Sequence, residues 1–157
     1  MVSIVFQSLY FFLPVFVAYL AVKLTKPIWK YPIQKRFGQH TWTNLVAAAV
    51  NGTIVFWIQK MVYTPGQALA LIDYQDFTLT YGLLLGVGTV LGEMIKDFFK
   101  IRKKIAHWWF WDETSFALGA LIIGFLVYVP SAAVSGIIIL SALILHLVVS
   151  YVAQKYI

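Results

Sequence analysis

Long apolar runs alternate with short polar segments along this chain, and the alternation is far too coarse for strands. The apolar stretches occupy about residues 3–22, 45–63, 78–98, 115–130 and 133–153. Each approaches the roughly 20 residues with which a helix crosses a hydrocarbon core about 30 Å thick. Segments of alternating polarity, which a transmembrane barrel requires, are not visible. Backbone polar groups in lipid must find partners within closed hydrogen-bond patterns. The pattern therefore predicts an all-α polytopic membrane protein with five transmembrane helices. Pro130 lacks an amide donor and predicts a break at Val129-Pro130-Ser131, making a tight hairpin of spans four and five. The chain reads as one transmembrane domain, 1–157, with two polar loops at about 23–44 and 99–114.

Composition supports the membrane class. Hydrophobic residues make up 61% of the 157 positions and the mean hydropathy is +0.82, well above the roughly half-apolar mix of soluble domains. A chain of this length cannot enclose so much apolar surface in a core of its own. There is no cysteine, which removes disulfide frameworks and thiolate metal sites. No basic residue precedes Lys23, whereas a cleaved signal opens with a positive region, so the first helix is expected to remain in place.

Charge then orients the bundle. Lys23, Lys26, Lys30, Lys35 and Arg36 lie between the first two spans, and Lys96, Lys100, Arg102, Lys103 and Lys104 lie at or after the end of the third. The connection at 64–77 has no base and carries Asp73 and Asp76. Cytoplasmic loops collect Lys and Arg, so the N-terminus is expected outside, the C-terminus inside, and both basic loops on the cytoplasmic face of the cell membrane. Bases placed there set topology and attract anionic headgroups.

The second basic region asks for more than topology. Charged residues are 11% of the chain, yet nine of the eighteen fall between Glu93 and Glu113. Glu93, Lys96, Asp97 and Lys100 recur at i, i+3, i+4 and i+7 and share one helix face. Glu93 and Lys96 precede the end of an apolar span, where charge is expensive and marks a functional interior; on the plainer reading they neutralise one another. Carboxylates suit a hard cation such as Mg²⁺, which takes one or two acids and completes its shell with water and phosphates. Glu93 and Asp112 are the metal candidates, with Asp97 or Glu113 nearby, and Lys96, Lys100 and Arg102 are placed to neutralise a triphosphate. No glycine-rich Walker loop, Ser-His-Asp order or His-x-x-x-His pair is present, and no nucleic-acid partner is expected.

These residues resemble a known signature. Gly92-Glu93, Lys96-Asp97-Phe98, Lys100-Ile101-Arg102, Trp108 and Asp112-Glu113-Thr114-Ser115-Phe116 are similar to the motifs of the CDP-archaeol synthase family, membrane cytidylyltransferases related to the phosphatidate cytidylyltransferases. Leu13–Ala18 resembles that family's first helix, which has Asn where Tyr19 stands. Gln39-His40-Thr41-Trp42-Thr43-Asn44 resembles its first-loop motif, and His146 with Ser150 and Tyr151 a late motif. Glu93 and Ser115 stand where the family has Asp, and His40 and Thr43 where it has Lys and Arg.

The resemblance implies transfer of CMP from CTP to a membrane glycerolipid phosphate, of ether or ester type, with release of pyrophosphate and dependence on Mg²⁺. It implies catalytic roles for Lys96, Lys100, Arg102 and Asp112, and metal binding by Glu93 and Asp112. Substrate contacts would come from His40, Thr41, Lys96, Lys100, Arg102, Trp108 and Glu113. The alternative is a non-catalytic family member that binds lipid or nucleotide or stabilises a partner. Several residues carry plainer readings. Trp108–Trp111 form an interfacial aromatic belt unless a nucleobase stacks there. His146 is either a hydrogen-bonded helix contact or a substrate contact. Lys60 snorkels to water, and neither it nor Gln59 has chemistry assigned. Asn51, Gly52, Gly82, Gly86 and Gly88 permit close helix approach.

Overall fold

The computed structural model describes residues 4–25, 42–63, 67–103 and 109–156. Five helices appear in the expected order: α1 (Ile4–Thr25), α2 (Trp42–Met61), α3 (Thr80–Lys103), α4 (Trp109–Gly124) and α5 (Ala132–Tyr156). Two one-turn 3₁₀ helices, Gln67–Leu69 and Tyr74–Asp76, lie between α2 and α3. No strand occurs among the described residues.

Three boundaries differ from the sequence reading. Helix α3 continues to Lys103 rather than ending near 98, because its charges keep helical spacing and find partners across the bundle. Helix α4 begins at Trp109 rather than near 115, which moves Asp112 from a loop into a first helical turn, where the helix dipole favours an acid. Of the expected loop at 99–114, residues 99–103 and 109–114 are thus helical. At its other end α4 stops at Gly124, six residues before Pro130. The Gly124 carbonyl accepts the amides of both Val127 and Tyr128 at 3.0 Å, closing the helix in a tight turn. Pro130 instead precedes α5, where the Ser131 hydroxyl accepts the Val134 amide at 3.4 Å, the capping role that Ser favours.

By length and apolar character, two helices qualify as spans among the described residues: Ile4–Lys23 and Ala132–Val152, with mean hydropathy 1.9 and 2.6. The other three fall short for visible reasons. Helix α4 has 16 residues, α3 carries its charged end, and α2 contains Asn44, Asn51, Gln59 and Lys60.

Helices α2, α3 and α4 approach through glycine. A Cβ on Gly52 of α2 would stand 2.5 Å from the Gly82 carbonyl oxygen and 3.1 Å from the Gly86 Cα of α3. Further along α3, Gly88 and Gly92 meet Gly119 of α4 in the same way. The close approach at Gly52, Gly82, Gly86 and Gly88 agrees with the sequence. That of Gly92 and Gly119 adds a second crossing, and it positions the charged residues that follow Gly92.

At the other end, aromatic rings close the bundle. Tyr74, fully buried, packs edge-on to Tyr10 at 5.8 Å and against Phe56 at 5.5 Å. Lys60 does not snorkel freely. Its ammonium donates to the carbonyls of Gln75 at 3.1 Å and Phe77 at 2.7 Å, while Gln75 Nε2 donates back to the Lys60 carbonyl at 3.0 Å. Gln59 Nε2 donates to the Tyr10 carbonyl. The Lys60 and Gln75 bonds clamp the 75–77 segment onto the end of α2, and the Gln59 bond ties α2 to α1.

Gly52→Val is expected to lower the melting midpoint in detergent, with a stability loss of about 1–3 kcal/mol from overpacking. Gly136→Ala, where a Cβ meets nothing within 4 Å, is expected to gain about 0.5–1 kcal/mol from helix entropy. Equal midpoints for the two variants would show that the α2–α3 contact does not require glycine.

Candidate functional site

The Gly92–Gly119 crossing sets the site. With no side chain at Gly92, the α3 backbone lies on the Ser115 carbonyl of α4, and the next residue, Glu93, is pressed between helices. Its carboxylate is 4% exposed. The Ser115 hydroxyl donates to Glu93 Oε1 at 2.5 Å, and Lys96 Nζ donates to the same oxygen at 2.9 Å. Lys23 Nζ, from the last turn of α1, lies 3.8 Å from Oε2. A carboxylate taken from water costs several kcal/mol unless it is paired, so three helices must supply partners for this one.

Two turns along α3, Lys100 Nζ meets Asp112 Oδ2 of α4 at 2.7 Å. Asp112 and Glu113, 7% and 8% exposed, point to different neighbours. Glu113 turns to α5, where its carboxylate lies against Nδ1 of His146, and the Ser150 hydroxyl stands 3.3 Å from the same nitrogen. Tyr19 of α1 stacks on Phe116 with ring centroids 4.0 Å apart and planes at 19°, closing the α1–α4 side.

Glu93, Lys96, Lys100, Asp112 and Glu113 are therefore brought into one region. Asp97 is half-buried on the same face of α3. Arg102 is not part of the cluster. It is exposed, its guanidinium carbon 5.9 Å from the Phe98 ring centroid, and at 100° per residue it lies on the opposite side of α3 from Glu93. His40, Thr41 and Trp108 lie outside the described residues.

Three contributors escaped the sequence reading. Lys23 was expected to set topology, yet it is the one charged side chain of an otherwise apolar α1, which is the signal that marks an intramembrane ionisable group as functional. Ser115 reads in sequence as a lost carboxylate, but it is a hydrogen-bond donor to Glu93. The Glu113–His146 contact joins residues 33 apart in sequence, and no local pattern announces it.

Glu93 faces Lys23 and Lys96, Asp112 faces Lys100, and Glu113 faces His146. Among the described residues no group of three or more His, Cys, Asp or Glu side chains could hold a metal ion. A cation caged by protein alone does not match this donor set. One or two carboxylates at a helix crossing, beside lysines suited to phosphate, do match Mg²⁺ bound together with a nucleotide, so Glu93 and Asp112 fit that group.

Comparison with known proteins follows the same residues. The family model described as CDP-archaeol synthase (CarS-like) matches residues 1–157. The CDP-archaeol synthase of Methanospirillum hungatei is 40% identical over 53 residues, and that alignment covers 32% of this chain and 32% of the relative's own length. No solved structure matches significantly.

Lys96→Met is expected to destabilise the protein by roughly 1–3 kcal/mol, because it removes one hydrogen-bonding cation from a buried carboxylate that keeps Lys23 and the Ser115 hydroxyl. Adding Glu93→Leu is expected to recover most of that loss. Thermal melting of the two variants checks both, and a double variant no more stable than Lys96→Met would show that Glu93 does not depend on Lys96.

Proposed function

The chain belongs to the CDP-archaeol synthase family, and from that premise we propose that it transfers CMP from CTP to a phosphorylated membrane glycerolipid. The observation that carries this reading is the set of lysine–carboxylate pairs, the buried Lys96–Glu93 and the half-buried Lys100–Asp112, built where α3 and α4 cross. A phosphate oxygen of the lipid attacks the α-phosphorus of CTP. The bond from that phosphorus to the β-phosphate oxygen breaks, and pyrophosphate leaves.

The residues act chiefly by positioning and by charge. In the unliganded protein Lys96 and Lys100 are held by carboxylates. On binding of a triphosphate they exchange those carboxylates for phosphate oxygens, which keeps each ammonium paired in a low-dielectric setting. They then face the oxygens on which charge builds as pyrophosphate departs, the preorganised arrangement that lowers such barriers. Glu93 and Asp112, released from the lysines, are the residues that would hold Mg²⁺, which supplies Lewis-acid neutralisation of the phosphates. Glu113 fixes the His146 ring at the edge of the site. His40, Thr41 and Trp108 would complete the nucleotide side from the two connections.

All five helices are assigned as membrane spans of a single domain, with the N-terminus outside and the site at the cytoplasmic face of the cell membrane. The ends of α1 and α3 and the start of α4, carrying Lys23, Lys100 and Asp112, gather at one end, whereas Asp73 and Asp76 lie at the other. Ile4, Val5 and Phe6 of α1 and Ile144, Leu147, Val148 and Val152 of α5 are exposed. Apolar patches of that kind suit lipid rather than water.

Purified protein given labelled CTP, Mg²⁺ and either phosphatidate or an isoprenoid ether-lipid phosphate is expected to form a CDP-lipid with at least one acceptor. Chelation of Mg²⁺ should abolish the product, and Asp112→Asn should cut the rate by about 100-fold or more. CTP binding without product from either acceptor would replace this reading with that of a non-catalytic nucleotide-binding member.

A further inference from the structure

Beside Glu93, α1 and α5 bring a second set of polar groups together. Tyr19 and Lys23 lie one turn apart on the same face of α1, and the Lys23 ammonium sits 5.2 Å from the Tyr19 ring centroid. The ring is fixed by its stack on Phe116, with the His146 ring 5.9 Å away on α5. These contacts form a closed circuit. Glu93 joins Lys23 and Ser115, Ser115 is followed by Phe116, and Phe116 returns through Tyr19 to Lys23.

Within that circuit the Tyr19 hydroxyl is fully buried and has no hydrogen-bond partner among the described residues. A buried hydroxyl left unsatisfied is costly and calls for an explanation. Tyr10 and Tyr74 also bury unpartnered hydroxyls, but they pack on each other among aromatic rings at the opposite end of the bundle. Tyr19 alone of the three has a lysine over its ring and a buried carboxylate beyond it.

We propose that Tyr19 and Lys23 form the subsite for the phosphate monoester of the acceptor lipid, the Tyr19 hydroxyl donating to a phosphate oxygen. The proposal rests on the reading of the chain as a lipid-phosphate transferase and assigns the two substrates to separate sides of the site. Helices α1 and α5, which carry Tyr19 and His146, are the two most apolar by length and hydropathy among the described residues. Beside His146 the outer face of α5 is apolar and exposed at Ile144, Leu147 and Val148, so this flank borders the lipid phase from which an acceptor enters. Lys100 and Asp112 lie on the α3–α4 side, at the helix ends, where a water-soluble nucleotide arrives. A phenol donor beside an ammonium suits an anionic phosphate oxygen, since hydrogen bonds to charged groups are the strong ones.

The test uses the full-length protein in detergent without CTP or Mg²⁺, comparing it with Tyr19→Phe, which keeps the stack on Phe116. Binding of phosphatidate in mixed micelles is expected to weaken about tenfold in the variant, while CTP binding is unchanged. In turnover, KM for the lipid phosphate should rise with KM for CTP constant. The ligand-free variant should melt at the same temperature or higher, since it loses an unsatisfied group. Unchanged phosphatidate binding, or an equal fall in CTP binding, would overturn the assignment. So would a lower ligand-free melting temperature, which would show that the hydroxyl already has a partner inside the protein. Inorganic phosphate binding as tightly as phosphatidate would mean that the subsite takes free phosphate rather than lipid. Tyr19-dependent phosphatidate binding without any CDP-lipid formation would uphold the subsite and refute the transfer reaction.

Discussion

A single carboxylate, buried where two helices touch through glycine, organises this molecule. Glu93 follows Gly92, and Gly92 has no side chain because the α3 backbone rests on that of α4. The same close approach that excludes water from the crossing removes the solvent that would stabilise a charge. Glu93 is therefore tolerable only because Lys96, Lys23 and the Ser115 hydroxyl surround it. Helix packing and site electrostatics are two consequences of one contact. A change that widened the crossing would admit water and weaken every pair in it, since charge interactions fall steeply as the local dielectric rises.

This arrangement also resolves a tension in building an anion site within an apolar bundle. Free lysines held apart in such a place would repel one another and lose hydration. Pairing with acids keeps the crossing neutral locally. On the function proposed above, an incoming polyphosphate would replace one anion by another, so that little positive charge is ever left bare. A buried pair is weak evidence of stability for its own sake, because well-packed hydrophobic residues would serve as well or better. Its place at the end of an apolar helix is in keeping with the ligand exchange proposed above.

How much of this was legible from the chain follows the range of each interaction. The five helices and their order come from apolar run lengths, a local property, and the glycines of α2 and α3 mark close approach by their absence of side chain. The shared face of Glu93, Lys96 and Lys100 follows from helical spacing alone. Helix ends were less readable: the apolar pattern stops near 98 and resumes near 115, yet charged and aromatic residues extend α3 to Lys103 and start α4 at Trp109. Hydropathy locates the part of a helix that suits lipid, whereas hydrogen bonding decides where the helix stops. Partners far apart in sequence were not readable at all. Lys23 with Glu93, Tyr19 with Phe116 and Glu113 with His146 each require the bundle to be assembled first.

Two departures from the family pattern gain a common cause from the geometry. Where that pattern has two aspartates, this chain has Glu93 and Ser115, and these two side chains are hydrogen-bonded across the α3–α4 crossing. Acids at both positions would set two negative charges against each other in a setting of low dielectric, a conflict that a bound cation or a shared proton relieves. Serine removes one charge and supplies a donor. Glutamate adds the methylene that lets the remaining carboxylate reach it while staying within 2.9 Å of Lys96. Neither substitution is best understood alone: together they leave the crossing with one acid that Lys96 and Ser115 can satisfy between them.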